Sequence, residues 1–174
     1  SDSEIIYFLS DRGDDLKGQT GESVKMWSID YEKTDIYSIN VGTKQMKRLS
    51  FEPEYTKTSL AVSVDKSKLL YTSDKNGIGN IYELDIEAGI SKPKTNSING
   101  IIQLSLANDD SKLLFTAQVN AGFDIFLIKN PFDRHLQSDT LPLTKFRRAW
   151  LDQRTPVTKG SSAADTSNYV QKNM

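Results

Sequence analysis

The octapeptide Asp65-Lys66-Ser67-Lys68-Leu69-Leu70-Tyr71-Thr72 sets a short apolar run behind small polar residues. The arrangement returns 44 residues on, as Asp109-Asp110-Ser111-Lys112-Leu113-Leu114-Phe115-Thr116. Aliphatic, aromatic and β-branched residues bounded by turn formers predict a strand at each place. A second segment alternates instead. Along Ile81-Tyr82-Glu83-Leu84-Asp85-Ile86, residues Tyr82, Leu84 and Ile86 share one face, while Glu83 and Asp85 share the other. Period two is the signature of a strand with unlike faces. Tyr37, Ile39 and Val41 repeat the apolar face earlier, and Phe126 and Ile128 repeat it later.

These alternating strands open on one tripeptide, written Asp35-Ile36-Tyr37, Asn80-Ile81-Tyr82 and Asp124-Ile125-Phe126, at spacings of 45 and 44 residues. Lys47-Arg48-Leu49-Ser50 is echoed by Leu141-Pro142-Leu143-Thr144, with a weak counterpart at Lys94 and Thr95. Motifs that hold one period describe a structural repeat. Between them lie turn formers: Asp65-Lys66-Ser67, Asn108-Asp109-Asp110-Ser111, the loop Asp74 to Asn80 with Gly77 and Gly79, and its equivalent from Ala117 to Asp124, marked by Asn120-Ala121-Gly122. Short polar side chains bond local backbone in such turns, and glycine is free to take positive φ.

Within one period the predicted order is a strand near Ser59 to Val64, one at Lys68 to Ser73, one at Ile81 to Ile86, and a less regular fourth. Four antiparallel strands in about 44 residues make one β-propeller blade. The fold class expected is all-β, a partial β-propeller of about two full four-stranded blades plus part of a third. The blades are expected within residues 1–148, as an incomplete blade at 3–50, a blade at 54–98 and a blade at 99–145. No segment beyond about ten residues carries helical periodicity, and Lys145 to Trp150 is too short to predict a helix. Residues 149–174 read as a polar linker or the start of another blade, since Gly160 to Asn168 is small and polar. The first copy opens mid-blade at Ile5, so further blades are expected outside these residues.

The repeat resembles that of TolB-like propellers, relatives of the WD-repeat blade. The resemblance rests on Ser63-Val64-Asp65-Lys66, on Leu69-Leu70-Tyr71-Thr72-Ser73-Asp74-Lys75, on Asn80-Ile81-Tyr82, and on Tyr7 to Arg12, Asp35-Ile36-Tyr37 and Arg48-Leu49-Ser50. It covers about residues 3–145. Val64 and Lys66 stand where the family has Pro and Gly, and Ala117-Gln118-Val119 stands where Ser-Asp-Arg is usual. The resemblance implies a non-catalytic scaffold for protein–protein interaction in the periplasm or cell envelope. Its alternatives are the propeller of a prolyl-oligopeptidase-like or tricorn-like peptidase that gates substrate access, and a propeller that binds carbohydrate or a small ligand.

One copy departs in length. Ser10 to Asp35 is 18 residues longer than Ser73 to Asn80, which places an insertion at residues 13–30. Long loops on a rigid scaffold often carry function. Arg12, Trp27 and Tyr31, with Met26 nearby, are the candidate partner-binding residues. The bland alternative packs Trp27 on its own blade.

Charge and composition narrow the classes left. Lysine and arginine number 22 against 23 acidic residues, for a net charge of −1, so no field of one sign draws nucleic acid or anionic lipid. With no cysteine, thiolate metal sites and thiol nucleophiles are excluded. No apolar run approaches the ~20 residues of a membrane span. One histidine, His135, without a nucleophile elbow, does not make a triad. Asp74 with Asn76 and Asn108 to Asp110 offer oxygen ligands, but turn chemistry accounts for both, and the cluster of Asp11, Asp14 and Asp15 reads as a solvated one. Lys145-Phe146-Arg147-Arg148 with Trp150 is a short basic patch, read as a blade edge or loop rather than a nucleic-acid contact. No catalytic, metal or cofactor site is expected in this chain. The expected partners are another protein and the remaining blades or domains of the same polypeptide.

Overall fold

Strands that pair are consecutive in the sequence, as hairpin turns dictate. The structure, a computed structural model, describes residues 4–12 and 34–154. Strands β1 (Ile5–Ser10), β2 (Asp35–Asn40) and β3 (Met46–Arg48) form a first antiparallel sheet in that order. β4 (Lys57–Val62), β5 (Lys68–Ser73), β6 (Asn80–Asp85) and β7 (Ser91–Pro93) form the second, and β8 (Ile101–Leu106), β9 (Lys112–Val119) and β10 (Gly122–Lys129) the third. The first strand of the full blade runs two residues ahead of its expected place, and the second lies as expected. β4 packs on β8 at one interface and on β1 at the other, so sheets stack face to face with their inner strands adjacent.

The register shows why the tripeptide recurs. Tyr37 lies opposite Phe8, Tyr82 opposite Tyr71 and Phe126 opposite Phe115. Each pair stacks, with ring centroids 5.7, 5.7 and 5.4 Å apart. Such pairs add ~0.5–1.5 kcal/mol beyond the area they bury. Because side chains alternate, the isoleucine beside each aromatic points to the opposite sheet face. Ile36 and Leu49 of the first sheet therefore meet Leu69, Tyr71, Tyr82 and Leu84 of the second. Leu70 and Ile81 of the second sheet meet Ile101, Leu113 and Ala117 of the third. Full burial of each such aliphatic side chain stabilises by ~1.5–3 kcal/mol.

Three expectations are corrected. Ala117 to Asp124 is not a loop: both strands continue past it to a two-residue turn at Asn120 and Ala121, with Asn120 at φ 46°. No glycine precedes Gly122 there, so pairing runs on. Leu141 to Thr144 does not close the third sheet. It lies against the second, where the Thr144 amide donates to the Asn76 carbonyl and Leu141 packs on the first core cluster. Lys145–Arg154 is a helix, α1, and not a blade edge or loop. Thr144 Oγ1 caps it by accepting from the Arg147 amide at 3.1 Å. Arg147 holds it in place, bonding Asp74 and lying between the Tyr55 and Trp150 rings. A helix this short is marginal without such tertiary contacts.

Candidate interaction surface

The residue that opens the third strand of each blade organises a small network. In the first sheet the buried Asp35 accepts from the Ser50 hydroxyl at 2.7 Å and the Glu52 amide at 3.1 Å. In the second sheet the buried Asn80 accepts from the Thr95 hydroxyl at 3.0 Å and the Ser97 amide at 2.7 Å. Ser50 also receives the Ile36 amide, as Thr95 receives that of Ile81. Thr95, a weak echo in the sequence, thus does the work of Ser50. The outermost strand is latched by one hydroxyl on one acceptor.

Charge follows the acceptor. Asp35 is ionisable, and Arg48 and Lys57 both pair with it. Asn80 is neutral, and Pro93 and Ile101 occupy the corresponding positions. Burial alone would push the Asp35 carboxyl up. The Ser50 hydroxyl, Arg48 and Lys57 outweigh it and hold the carboxyl below its ordinary value. Lys57 is pulled down by burial against the attraction of Asp35.

The third sheet breaks the pattern on both counts. Among the described residues no strand pairs with the outer edge of β10, and Asp124 is exposed, with no hydroxyl latch of the kind Asp35 and Asn80 have. Ile36 and Ile81 are wholly buried, but the corresponding Ile125 is 73% exposed. Phe123, Leu127 and Leu114 share its face and are exposed with it. A groove of about 440 Å³ runs along this face between Thr58, Gln103, Leu114 and Ile125. A contiguous apolar patch marks an interaction surface more often than an accident of folding.

Of the three candidate partner-binding residues, Arg12 alone lies among the described residues. Trp27, Tyr31 and the insertion at 13–30 lie outside the described residues, as do Asp14 and Asp15. Arg12 is half-buried on the first sheet, over the Phe8 and Tyr37 rings at 5.6 and 5.9 Å, with Nη1 2.9 Å from Met46 Sδ. It is not brought together with the third-sheet face. His135 is exposed, beside the outer rim of the second sheet. Asp74 accepts from the Thr56 amide and pairs with Arg147, and Asp109 accepts from Ser111. Among the described residues no three acidic or histidine side chains are grouped to hold a metal. The open face was missed in the sequence because Asp124-Ile125-Phe126 reads there like its buried copies.

A protein described as TolB from Agrobacterium tumefaciens superposes with a TM-score of 0.51 at 18% identity, over 56% of this chain and 38% of that one. The fold is that of a partial β-propeller. TolB from Acinetobacter baumannii superposes with a TM-score of 0.49 at 20% identity, over 56% of this chain and 24% of that one. The propeller repeat described here therefore spans well under half the length of either. No family profile matches the sequence, and no curated protein sequence does. Among the described residues of the propeller no helix is long and apolar enough to cross a membrane.

Proposed function

We infer that this propeller is a non-catalytic scaffold that works by protein–protein contact, and that the outer face of its third sheet is where a further blade packs. The exposure of Ile125, where Ile36 and Ile81 are wholly buried, carries the reading. The two internal interfaces state what covers such a face: the apolar side of the next sheet, as Tyr71 and Tyr82 cover Ile36 and as Ile101, Leu113 and Ala117 cover Ile81. The matching occupant is a further sheet of the same kind. By its TolB resemblance the compartment proposed is the periplasm or envelope.

A photo-crosslinking amino acid at Ile125, in the native host, tests this. A defined product is expected at Ile125 and none from the exposed turn residue Glu87. Equal yields at both sites would contradict the assignment. Deleting residues 13–30 separates the insertion from the face: loss of the Ile125 product would implicate the insertion as a second contact.

A further inference from the structure

We propose that Asn99-Gly100 is a self-modification site. The Asn99 carboxamide closes on the next backbone nitrogen, sheds ammonia and opens to aspartate and isoaspartate, and the isoaspartate form loosens the contact between the second and third sheets.

The dipeptide Asn-Gly occurs twice in the chain, at Asn76-Gly77 and at Asn99-Gly100. Glycine suits this closure because no Cβ stands beside the attacking nitrogen. The fold treats the two pairs in opposite ways. Asn76 is 4% exposed. Its Oδ1 accepts from the Ile78 amide at 3.3 Å and from Asn80 Nδ2 at 3.4 Å, and its Nδ2 donates to the Pro142 carbonyl at 3.5 Å. The nucleophile is engaged as well, since the Gly77 amide donates to the Asp74 carbonyl at 2.7 Å. Ring closure there has to break these bonds inside a packed site.

Asn99 is half-buried in the connection between β7 and β8. Ser97 Oγ accepts from the Asn99 amide at 3.1 Å and donates to the Asn99 carbonyl at 2.8 Å. Both bonds hold the main chain. Among the described residues no hydrogen bond reaches the Asn99 carboxamide, and the Gly100 amide makes none. Nothing described lies within 4 Å of where a Cβ on Gly100 would stand. Electrophile and nucleophile are both unengaged, on adjacent residues, with room for the cyclic imide.

The steps balance with water as the sole co-reactant. The Gly100 nitrogen bonds the side-chain carbonyl carbon of Asn99. Its proton leaves with the carboxamide nitrogen as ammonia, and a cyclic imide remains. Water then cleaves the imide. Cleavage at the side-chain carbonyl gives aspartate. Cleavage at the main-chain carbonyl gives isoaspartate, whose backbone runs through Cβ and is longer by a carbon. That carbon enters where the second and third sheets touch. The Ile101 amide donates to the Gly79 carbonyl at 2.9 Å, and a Cβ on Gly79 would lie 2.5 Å from the Ile101 carbonyl oxygen. Ile101 is 3% exposed and packs with Leu70 and Ile81. A close-packed contact does not take an added backbone atom without shifting.

The test incubates the full chain at mildly alkaline pH, folded and in urea, and follows both pairs by peptide mass spectrometry with isoaspartate detection. In urea both should convert alike. In the folded protein Asn99 should convert, and Asn76 at least about tenfold more slowly, because its hydrogen bonds must open first. Asn99→Gln should abolish conversion at its pair. The isoaspartate form, isolated by ion exchange, should unfold at lower urea than fresh protein. Freshly made Asn99→Asp, which has the charge without the added carbon, should not. Equal rates at the two pairs in the folded protein, or conversion of Asn99 in urea alone, overturns the site. An isoaspartate form as stable as Asn99→Asp overturns the loosening.

Discussion

The Lys57 ammonium donates to Asp35 Oδ1 at 3.1 Å, across the boundary between the first and second sheets, and neither side chain is more than 3% exposed. Three backbone carbonyls, of Thr34, Glu52 and Tyr55, complete the shell around the ammonium. A buried pair of this kind is costly to break from one side, because the survivor keeps its charge without compensation. Asp35→Asn alone should therefore destabilise by ~3–5 kcal/mol. Asp35→Asn with Lys57→Ile rebuilds the Asn80 and Ile101 arrangement of the next interface, and should recover most of that loss in urea unfolding. A double variant no more stable than the single one would contradict the charge-matching argument.

Lys66 sits at φ 58° in the turn between β4 and β5, where TolB-like repeats carry glycine. Left-handed backbone costs a residue with a Cβ ~1–2 kcal/mol, partly offset by the greater entropy glycine loses. Lys66→Gly should raise stability by ~0.5–1 kcal/mol by the same balance. Asp110 has the same conformation, at φ 59°, but its carboxylate also accepts the Val64 amide at 2.9 Å. Asp110→Gly should gain less, and comparing the two melting temperatures checks the distinction.

The same turns set an acid limb. The Ser63 and Ser67 hydroxyls and the Ser67 amide hold the Asp65 carboxyl down to about 2, and Ser111 lowers Asp109 in the same way. Both folded-state values lie below the unfolded ones. Their stabilisation is present above about pH 4 and disappears as pH falls through the folded values. Asp65→Asn with Asp109→Asn should lower stability at neutral pH and flatten its fall between about pH 4 and 2. An unchanged slope in urea midpoints across that range would be the contrary result.

Much of this was legible in the sequence. The 44-residue spacing, the strand faces and the tripeptide at Asp35, Asn80 and Asp124 all follow from alternation and turn chemistry. The networks were not, because Asp35 and Lys57 lie 22 residues apart and meet only when two sheets stack. Helix α1 was missed because its hold comes from Asp74 and Tyr55, far away in the chain. Thr144 was assigned to a fourth strand on its likeness to Ser50, although a threonine before Lys145-Phe146-Arg147 serves a helix start equally well. The insertion at 13–30 lies outside the described residues, and the open face shows only in the exposure of a residue whose copies are buried.

Gly77 couples the second blade to α1. It has φ 100°, and a Cβ there would lie 2.1 Å from Thr144 Oγ1, the cap of the helix. Gly77→Ala should release α1 while the sheets persist. In a Trp27→Phe background Trp150 is the single tryptophan, and its emission should shift to the red with little loss of far-ultraviolet strand signal. An unmoved emission maximum would contradict the coupling.

The stacking account is tested most directly by one set of truncations, Ile36→Ala, Ile81→Ala and Ile125→Ala, measured in the same urea titration of the isolated chain. The first two should each cost ~2–5 kcal/mol, as buried isoleucines do, and Ile125→Ala should cost less than about 0.5 kcal/mol. A loss at Ile125 equal to the other two would mean that its face is already covered, and the open third blade would have to be abandoned.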